Sequence, residues 1–203
     1  MLVHAYILMS SITGILLAAG ASKRFGADKL TQSLPNGDLV AVRACRNLSA
    51  GTDRVLTVIR PGCDLLGSLL AAEGAEVLIC DDAELGMGVS LAYAIRACSN
   101  ATGYVIALAD MPWIQPATIQ KVANAIRTGA LLAAPCWQGR RGHPVGFSSS
   151  LRSELSVLHG DSGAKNVIQA HRQQLQLIDC DDAGVLSDID TPDDLNHPKP
   201  SDL

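Results

Sequence analysis

Aromatic residues are scarce in this sequence, at 3% of 203 residues, while hydrophobic residues reach 48%. A hydrophobic core must therefore be built from Ala, Leu, Val and Ile. Together with 18 glycines, this composition favours α/β architecture over an aromatic-rich β-sandwich. The length fits one large domain.

An excess of positive charge is also absent, because the formal net charge is -4. Non-specific binding to nucleic acid needs a broad basic face, so this balance argues against a nucleic-acid partner. Any anionic ligand must instead meet a local basic cluster.

The six cysteines include no C-x-x-C pair and lie at wide intervals. A zinc site would need tighter Cys/His spacing. We expect buried free thiols in a reducing compartment, with disulfides open only to a secreted chain.

Lys and Arg are missing from the first 22 residues, although a signal peptide begins with a positively charged region. The small residues 19–21 do match a cleavage pattern, but Ser10, Ser11 and Thr13 interrupt the apolar run, which argues against a membrane span. We therefore expect a cytoplasmic protein with no membrane partner.

Apolar runs alternate with helical patterns along the first 130 residues, which predicts parallel βαβ units. The predicted strands are 14–18, 55–59, 76–79, 104–109, 131–136, 144–148 and 175–179, and the predicted helices are 39–49, 64–73, 90–98, 116–127, 150–157, 163–171 and 192–196. We expect a single doubly wound α/β domain over residues 14–196, with an N-terminal extension (1–13) and a flexible tail (197–203). Ligands of such sheets bind outside the carboxyl ends of the strands.

A glycine-bearing loop, LAAGASKRFGADK at 17–29, follows the first strand. It is not a Walker A loop, since five residues separate Gly20 from Gly26 and no Lys follows Gly26; the fingerprint G-x-G-x-x-G is absent too. Its small residues let backbone N–H groups approach an anion, and Arg24 and Lys29 can neutralise a polyphosphate. The alternative is a solvated basic loop that only connects strand to helix.

Asp110 ends an apolar strand just before Met-Pro. A carboxylate at this place is suited to Mg²⁺, which takes one or two carboxylates with phosphate oxygens and water. The alternative is an ordinary Asx-turn.

The segment DIDTPDD at 188–194 has two parts. Thr191, Pro192 and Asp194 match a helix start close to a capping box. Asp188 and Asp190 precede it, and Asp190 is our candidate for a second metal carboxylate, with a plain surface carboxylate as the alternative.

Four further residues are candidates with structural alternatives. His143 lies beside two arginines in RRGHP, which favours contact with a phosphate, although a lone His is more often structural. Asp161, with Ser162, either caps a helix near Gly163 or joins an anion site. Ser90 either starts a helix or contacts base or ribose, and Asp82 is a candidate partner of a ribose hydroxyl.

The loop at 17–29 resembles the signature of MobA-like nucleotidyltransferases, L-A-[AG]-G-x-S-x-R-x-G-x-x-K. Further matching segments follow in order: GMGVSL at 86–91, LADMP at 108–112, GHPV at 142–145, GDSG at 160–163 and DIDTPDD at 188–194. The set is most similar to the molybdenum cofactor cytidylyltransferase branch. Phe25, where relatives often carry Met, and the stretch 31–40 depart from the pattern.

The resemblance implies a Rossmann-like fold of the nucleotide-diphospho-sugar transferase type. It also implies Mg²⁺-dependent transfer of CMP from CTP to the terminal phosphate of a molybdenum–molybdopterin cofactor, with release of pyrophosphate. A molybdenum hydroxylase is then a candidate recipient of the product.

With the residue chemistry above, the resemblance leads to one set of site expectations. They are catalysis by Arg24, Lys29 and Asp110; metal binding by Asp110 and Asp190; nucleotide binding by Leu17, Ala18, Ala19, Gly20, Ser22, Gly26, Asp82 and Ser90; and acceptor binding by His143, Asp161 and Asp188. Ala19 favours the smaller base, since GTP-using relatives tend to carry Gly there.

Two other functions stay open. One is a nucleotidyltransferase of the same fold that uses GTP or acts on a sugar or polyol phosphate. The other is a non-catalytic nucleotide-binding protein that delivers the cofactor to a partner. Acyl transfer is not indicated, because no Ser-His-Asp or Cys-His order is present.

Overall fold

The computed structural model describes residues 11–20, 25, 28–98 and 100–196. Its strands are β1 Ile12–Leu17, β2 Arg54–Ile59, β3 Glu76–Ile79, β4 Gly103–Leu108, β5 Leu132–Trp137, β6 Arg140–Arg141, β7 Val145–Ser148 and β8 Leu175–Asp179. Its α-helices are α1 Val40–Gly51, α2 Asp64–Ala72, α3 Met87–Ala97, α4 Pro116–Arg127, α5 Arg152–Leu155 and α6 Lys165–Ala170. Single 3₁₀ turns connect several of them.

Within these ranges the strands form one 8-stranded sheet in the order β3-β2-β1-β4-β7-β5-β6, with β8 paired to β5. Strands β1 to β4 are mutually parallel where they pair. Strand β7 is antiparallel to both β4 and β5, whereas β8 is parallel to β5. The sheet is therefore mixed but mostly parallel, and β1 at its centre is buried along its whole length.

Helices cover both faces of the sheet, and each face has its own apolar cluster. One cluster joins α1 and α4 to the sheet through residues such as Leu48 and Val122. The other packs α3 against it through Leu91 and Ile95. Most members are Ala, Leu, Val and Ile, as the composition predicts, and Tyr104 is a buried aromatic exception.

Local sequence accounts for several element boundaries. Strand β3 and helix α4 have the predicted bounds, and Pro116 occupies the first turn of α4, where its missing N–H costs no hydrogen bond. Strand β1 begins at Ile12, two residues before the predicted start of that strand. Most of the expected extension, 1–13, and the expected tail, 197–203, lie outside the described residues.

The predicted starts of two helices need correction. Helix α3 begins at Met87, so Ser90 is inside its first turn and is not an N-cap. Helix α6 begins at Lys165 with Ala164 as its N-cap, so neither Asp161 nor Ser162 is that cap. In both places a glycine-rich loop folds through long-range contacts that the local pattern does not contain.

No helix in the described part of the chain is long and apolar enough to cross a membrane. All six cysteines are free thiols, four of them buried, as expected from their apolar surroundings.

Candidate active site

A cavity of about 790 Å³ opens at the carboxyl ends of the parallel strands. The segments that follow four neighbouring strands form its floor: Gly20 after β1, Arg60 after β2, Asp81 after β3 and Asp110 after β4. This is the edge at which α/β sheets bind ligands. The wall residues are Leu17, Ala19, Gly20, Lys29, Leu30, Arg60, Pro61, Asp81, Ala83, Glu84, Gly86, Met87, Ser90, Leu108, Asp110 and Asp161.

Lys29 connects the glycine loop to this edge of the sheet. It starts a single 3₁₀ turn, Lys29–Thr31, whose N-cap Asp28 accepts a hydrogen bond from the backbone N–H of Leu30. Its Nζ lies 2.8 Å from Oδ2 of Asp110 and 3.2 Å from Oδ1 of Asp190, and donates to the carbonyl oxygen of Ile189 at 2.6 Å. Lys29 therefore joins three segments of the chain at one point.

The charge state of Lys29 follows from two opposed effects. Burial by itself lowers the pKa of the ammonium group, but the carboxylates of Asp110 and Asp190 outweigh burial and raise the pKa above its ordinary value. Lys29 is thus a fixed cation at neutral pH, positioned where a phosphate group would also bind.

Asp110 has one oxygen on Lys29 and, within the described part of the chain, one oxygen without a partner. Its Oδ1 is buried and accepts no hydrogen bond from the residues that the structure describes. An Asx-turn would place a backbone N–H on this side chain, and none of those residues provides one, so the turn interpretation of Asp110 has no support. A buried, unpartnered carboxylate oxygen fits a cation.

A divalent ion here would need ligands from outside the protein. Among the described residues, no group of three or more His, Cys, Asp or Glu side chains is arranged to hold a metal. Mg²⁺ bound with a nucleotide does not need such a group, because phosphate oxygens and water complete its six ligands. The donor set around Asp110 therefore fits a metal that arrives with a triphosphate.

Segment 182–190 reaches this site through hydrogen bonds of its own. The buried carboxylate of Asp182 accepts from the backbone N–H of Gln115, from the hydroxyl of Thr118 and from the backbone N–H of Gly184. The backbone N–H of Ile189 then donates to the carbonyl oxygen of Asp110 at 2.9 Å. Asp188 and Asp190 flank Ile189 and are thus placed at the end of β4.

Asp188 lies close to the carboxylates of Asp110 and Asp190. Burial raises the pKa of its carboxyl group, and the nearby carboxylate of Asp110 raises it further. Lys29 is a cation already present among these carboxylates and opposes the rise, but it does not cancel the effects of burial and of Asp110.

His143 approaches the same end of the cavity from the β6–β7 connection. Its backbone N–H donates to the carbonyl oxygen of Val185 at 2.9 Å. Burial lowers the pKa of the ring to about 4, and the guanidinium of Arg141 adds to the shift. His143 is consequently neutral at physiological pH and cannot supply positive charge to a phosphate.

The loops at 86–88 and 159–161 are in direct contact beside the cavity. A Cβ added to Gly86 would lie 2.3 Å from the carbonyl carbon of Gly160, and one on Gly88 would lie 2.7 Å from the carbonyl oxygen of His159. The backbone N–H of Gly88 donates to the carbonyl oxygen of Gly160 at 2.8 Å. This close approach carries Asp161 to the cavity wall.

Predicted site residues fall into three groups. Those on the cavity wall are Leu17, Ala19, Gly20, Lys29, Ser90, Asp110 and Asp161. Five predicted residues do not line the wall: Ala18, Asp82, His143, Asp188 and Asp190. The last three of these lie close to Asp110 or Lys29. Arg24, Ser22 and Gly26 lie outside the described residues.

Sequence reasoning missed residues that the fold brings to the cavity, namely Arg60, Asp81 and Glu84. For Arg60 the signal was available, because a charged residue follows a buried strand there just as Asp110 does. In the loop after β3, the structure places Asp81 on the wall in the position expected for Asp82.

Known proteins resemble the chain over most of its length. It is 28% identical over 192 residues to nicotine blue oxidoreductase of Paenarthrobacter nicotinovorans, covering 91% of this chain and 94% of that protein. It is 31% identical over 196 residues to molybdenum cofactor guanylyltransferase of Cupriavidus metallidurans, covering 91% and 93%.

Solved structures are similar as well. Rv0371c from Mycobacterium tuberculosis H37Rv superimposes with a TM-score of 0.77 at 30% identity, covering 91% of this chain and 95% of that one. A crystal structure of Rv0371c in complex with manganese gives a TM-score of 0.75 at 26% identity, with the same coverage. The predicted fold class is confirmed by these neighbours.

The match to a protein family covers the glycine loop, the Asp110 strand and the GHPV segment. Residues 14–175 match the MobA-like NTP transferase domain. The chain therefore belongs to the MobA-like NTP transferase domain family and is a nucleotidyltransferase.

Proposed function

We propose that this enzyme transfers CMP from CTP to the terminal phosphate of a molybdenum–molybdopterin cofactor and releases pyrophosphate, with Mg²⁺ as its metal. The observation that carries the proposal is the Lys29 junction, where one ammonium group lies 2.8 Å from Asp110 while the other oxygen of that carboxylate has no partner among the described residues. Such a pair provides one cation for phosphate and one ligand for a metal.

In this proposal Lys29 and Arg24 hold the triphosphate, with backbone N–H groups of the glycine loop. Asp110 and Asp190 would hold Mg²⁺, which when bound would neutralise charge on the phosphate oxygens. Lys29 exchanges part of its contact with the two carboxylates for phosphate oxygens when CTP binds. The side chains thereby align the α-phosphate for in-line attack.

The acceptor needs no strong base in this reaction. A phosphate monoester is already anionic at neutral pH, so its oxygen can attack without losing a proton. A neutral His143 agrees with this requirement, since it can donate or accept a hydrogen bond without adding charge. We assign His143, Asp161 and Asp188 to the acceptor side and Leu17, Ala19, Gly20 and Ser90 to the nucleotide side.

The choice of donor and acceptor draws on sequence and on relatives. One relative is named a molybdenum cofactor guanylyltransferase, which supports a molybdenum cofactor as acceptor. Another is named an oxidoreductase, but this chain has no G-x-G-x-x-G loop for a dinucleotide, so we favour nucleotide transfer over hydride transfer. Ala19 on the cavity wall favours CTP over GTP. A molybdenum hydroxylase is the proposed recipient of the product.

A pyrophosphate-release assay tests the proposal. Purified protein is incubated with Mg²⁺ and each of CTP, GTP, ATP and UTP, in combination with molybdopterin cofactor, a sugar phosphate or a polyol phosphate. We expect release with CTP and the cofactor. Release only with another pair would reassign the substrate, and nucleotide binding without release for any pair would favour the accessory protein.

A further inference from the structure

Arg60 occupies a position in the cavity that the proposed reaction does not yet use. It directly follows β2, is half-buried, and lines the same cavity as Lys29 and Asp110. On sequence alone it only marks the end of a strand.

Among the described residues, the guanidinium of Arg60 makes a single hydrogen bond. Its Nε donates to Sγ of Cys63 at 3.3 Å. No carboxylate of a described residue lies within ion-pair distance of its remaining N–H groups, although Asp81 and Glu84 share the cavity wall. By contrast, the guanidinium of the surface residue Arg46 forms ion pairs with both Glu73 and Asp38.

The sheet order fixes where Arg60 lies relative to the metal carboxylate. Strand β1 separates β2 from β4, and neighbouring strands lie about 4.8 Å apart, so the backbone of residue 60 is about 10 Å along the sheet from that of Asp110. Lys29 marks the Asp110 end as the phosphate end. The cavity that begins at Asp110 continues to Arg60, so a nucleotide whose α-phosphate meets Asp110 would have space for its ribose and base on the Arg60 side.

We propose that Arg60 reads the nucleobase and selects bases that present two adjacent hydrogen-bond acceptors; this inference rests on the proposed nucleotidyl transfer. A guanidinium carries only donors, arranged in a fork. Cytosine offers O2 beside N3, and guanine offers O6 beside N7, whereas adenine places an amino donor beside N7 and N1. Uracil places its N3–H donor between two acceptors. Arg60 therefore favours CTP and GTP over ATP and UTP. Ala19 then favours CTP over GTP.

Equilibrium binding of the four nucleoside triphosphates with Mg²⁺, without any acceptor, tests this assignment. We expect wild-type protein to bind CTP or GTP about tenfold or more tighter than ATP and UTP. Arg60→Met should remove that preference by weakening the favoured nucleotide while leaving the affinity for ATP nearly unchanged. Arg60→Glu, which replaces donors by acceptors, should move the preference toward ATP.

The control is Arg43→Met, which removes the surface ion pair between Arg43 on α1 and Asp38 and should leave all four affinities unchanged. Arg60→Lys keeps the charge and loses the fork, so it provides the same comparison if Arg60→Met fails to fold by thermal melting. A uniform loss for all four nucleotides, or no loss, would overturn the assignment. The binding experiment contains no acceptor. Its outcome therefore does not depend on whether the enzyme acts on molybdopterin in the pyrophosphate assay.

Discussion

The two walls of the active site are built in different ways. One wall consists of residues that follow consecutive parallel strands, with Gly20, Arg60 and Asp110 at adjacent strand ends. The other, which backs Asp110 and Lys29 from outside the cavity lining, consists of His143 and segment 182–190. These residues arrive from an antiparallel hairpin and a 3₁₀ turn late in the chain. The two walls meet at Lys29, whose ammonium group contacts both Asp110 and Asp190, two residues that are far from it in the sequence.

This difference shows how strongly each wall depends on individual contacts. The first wall is held by the sheet, where every strand shares its hydrogen bonds with neighbours. The second depends on a few bonds, chiefly those of Asp182 and the bonds from His143 to Val185 and from Ile189 to Asp110. Changes in the second wall should therefore act locally and strongly.

The largest expected effect on stability comes from Asp182→Ala. The buried carboxylate accepts three hydrogen bonds, and its loss leaves those donors unpartnered, so we expect the free energy of unfolding to fall by about 3–5 kcal/mol. Chemical denaturation measures the change. Asp181→Ala, an exposed neighbour, is the control and should change little. Equal midpoints for the two variants would show that the second wall does not depend on this anchor.

A smaller effect is expected from acid. The pKa of His143 is about 4 in the folded protein and 6.5 ordinarily. Between those values the unfolded chain binds a proton that the folded chain does not, so stability is fully present above pH 6.5 and declines as pH falls toward 4.

His143→Gln should therefore reduce the loss of stability between pH 7 and pH 4.5 by about 2–3 kcal/mol. Denaturation curves at the two pH values measure this loss in each protein. The carboxylates titrate in the same way in both proteins, so their contribution cancels in the difference. His159→Gln, at an exposed histidine, should leave the loss as it is in the wild type. The same loss in all three proteins would mean that His143 is not buried as a neutral ring.

The first wall could be predicted from sequence to a large extent, because local patterns determine it. Apolar runs locate the parallel strands, and Asp110 after β4 and the loop at 17–29 follow from the rule that ligands bind at strand ends. Arg60 obeys the same rule, although the local sequence Arg-Pro-Gly indicates only the end of a strand there.

The second wall could not be predicted in the same way. Nothing local in sequence places antiparallel β7 between β4 and β5, or brings Ile189 to Asp110. The start of α3 at Met87 likewise depends on a distant contact, since Gly88 must pack against His159 and Gly160. Residue chemistry alone offers His143 and Asp161 as candidates with structural alternatives, and the resemblance to a family is what assigns them, with Asp188, to the acceptor.

The central claim is that Asp110 holds a divalent metal together with the nucleotide, and one binding measurement tests it most directly. The affinity for CTP is measured with and without Mg²⁺ for wild type, Asp110→Asn and the control Asp179→Asn, whose carboxylate is exposed on β8. We expect Mg²⁺ to raise CTP affinity about tenfold or more in the wild type and the control, and to have almost no effect in Asp110→Asn. An undiminished effect of Mg²⁺ in Asp110→Asn would contradict the account.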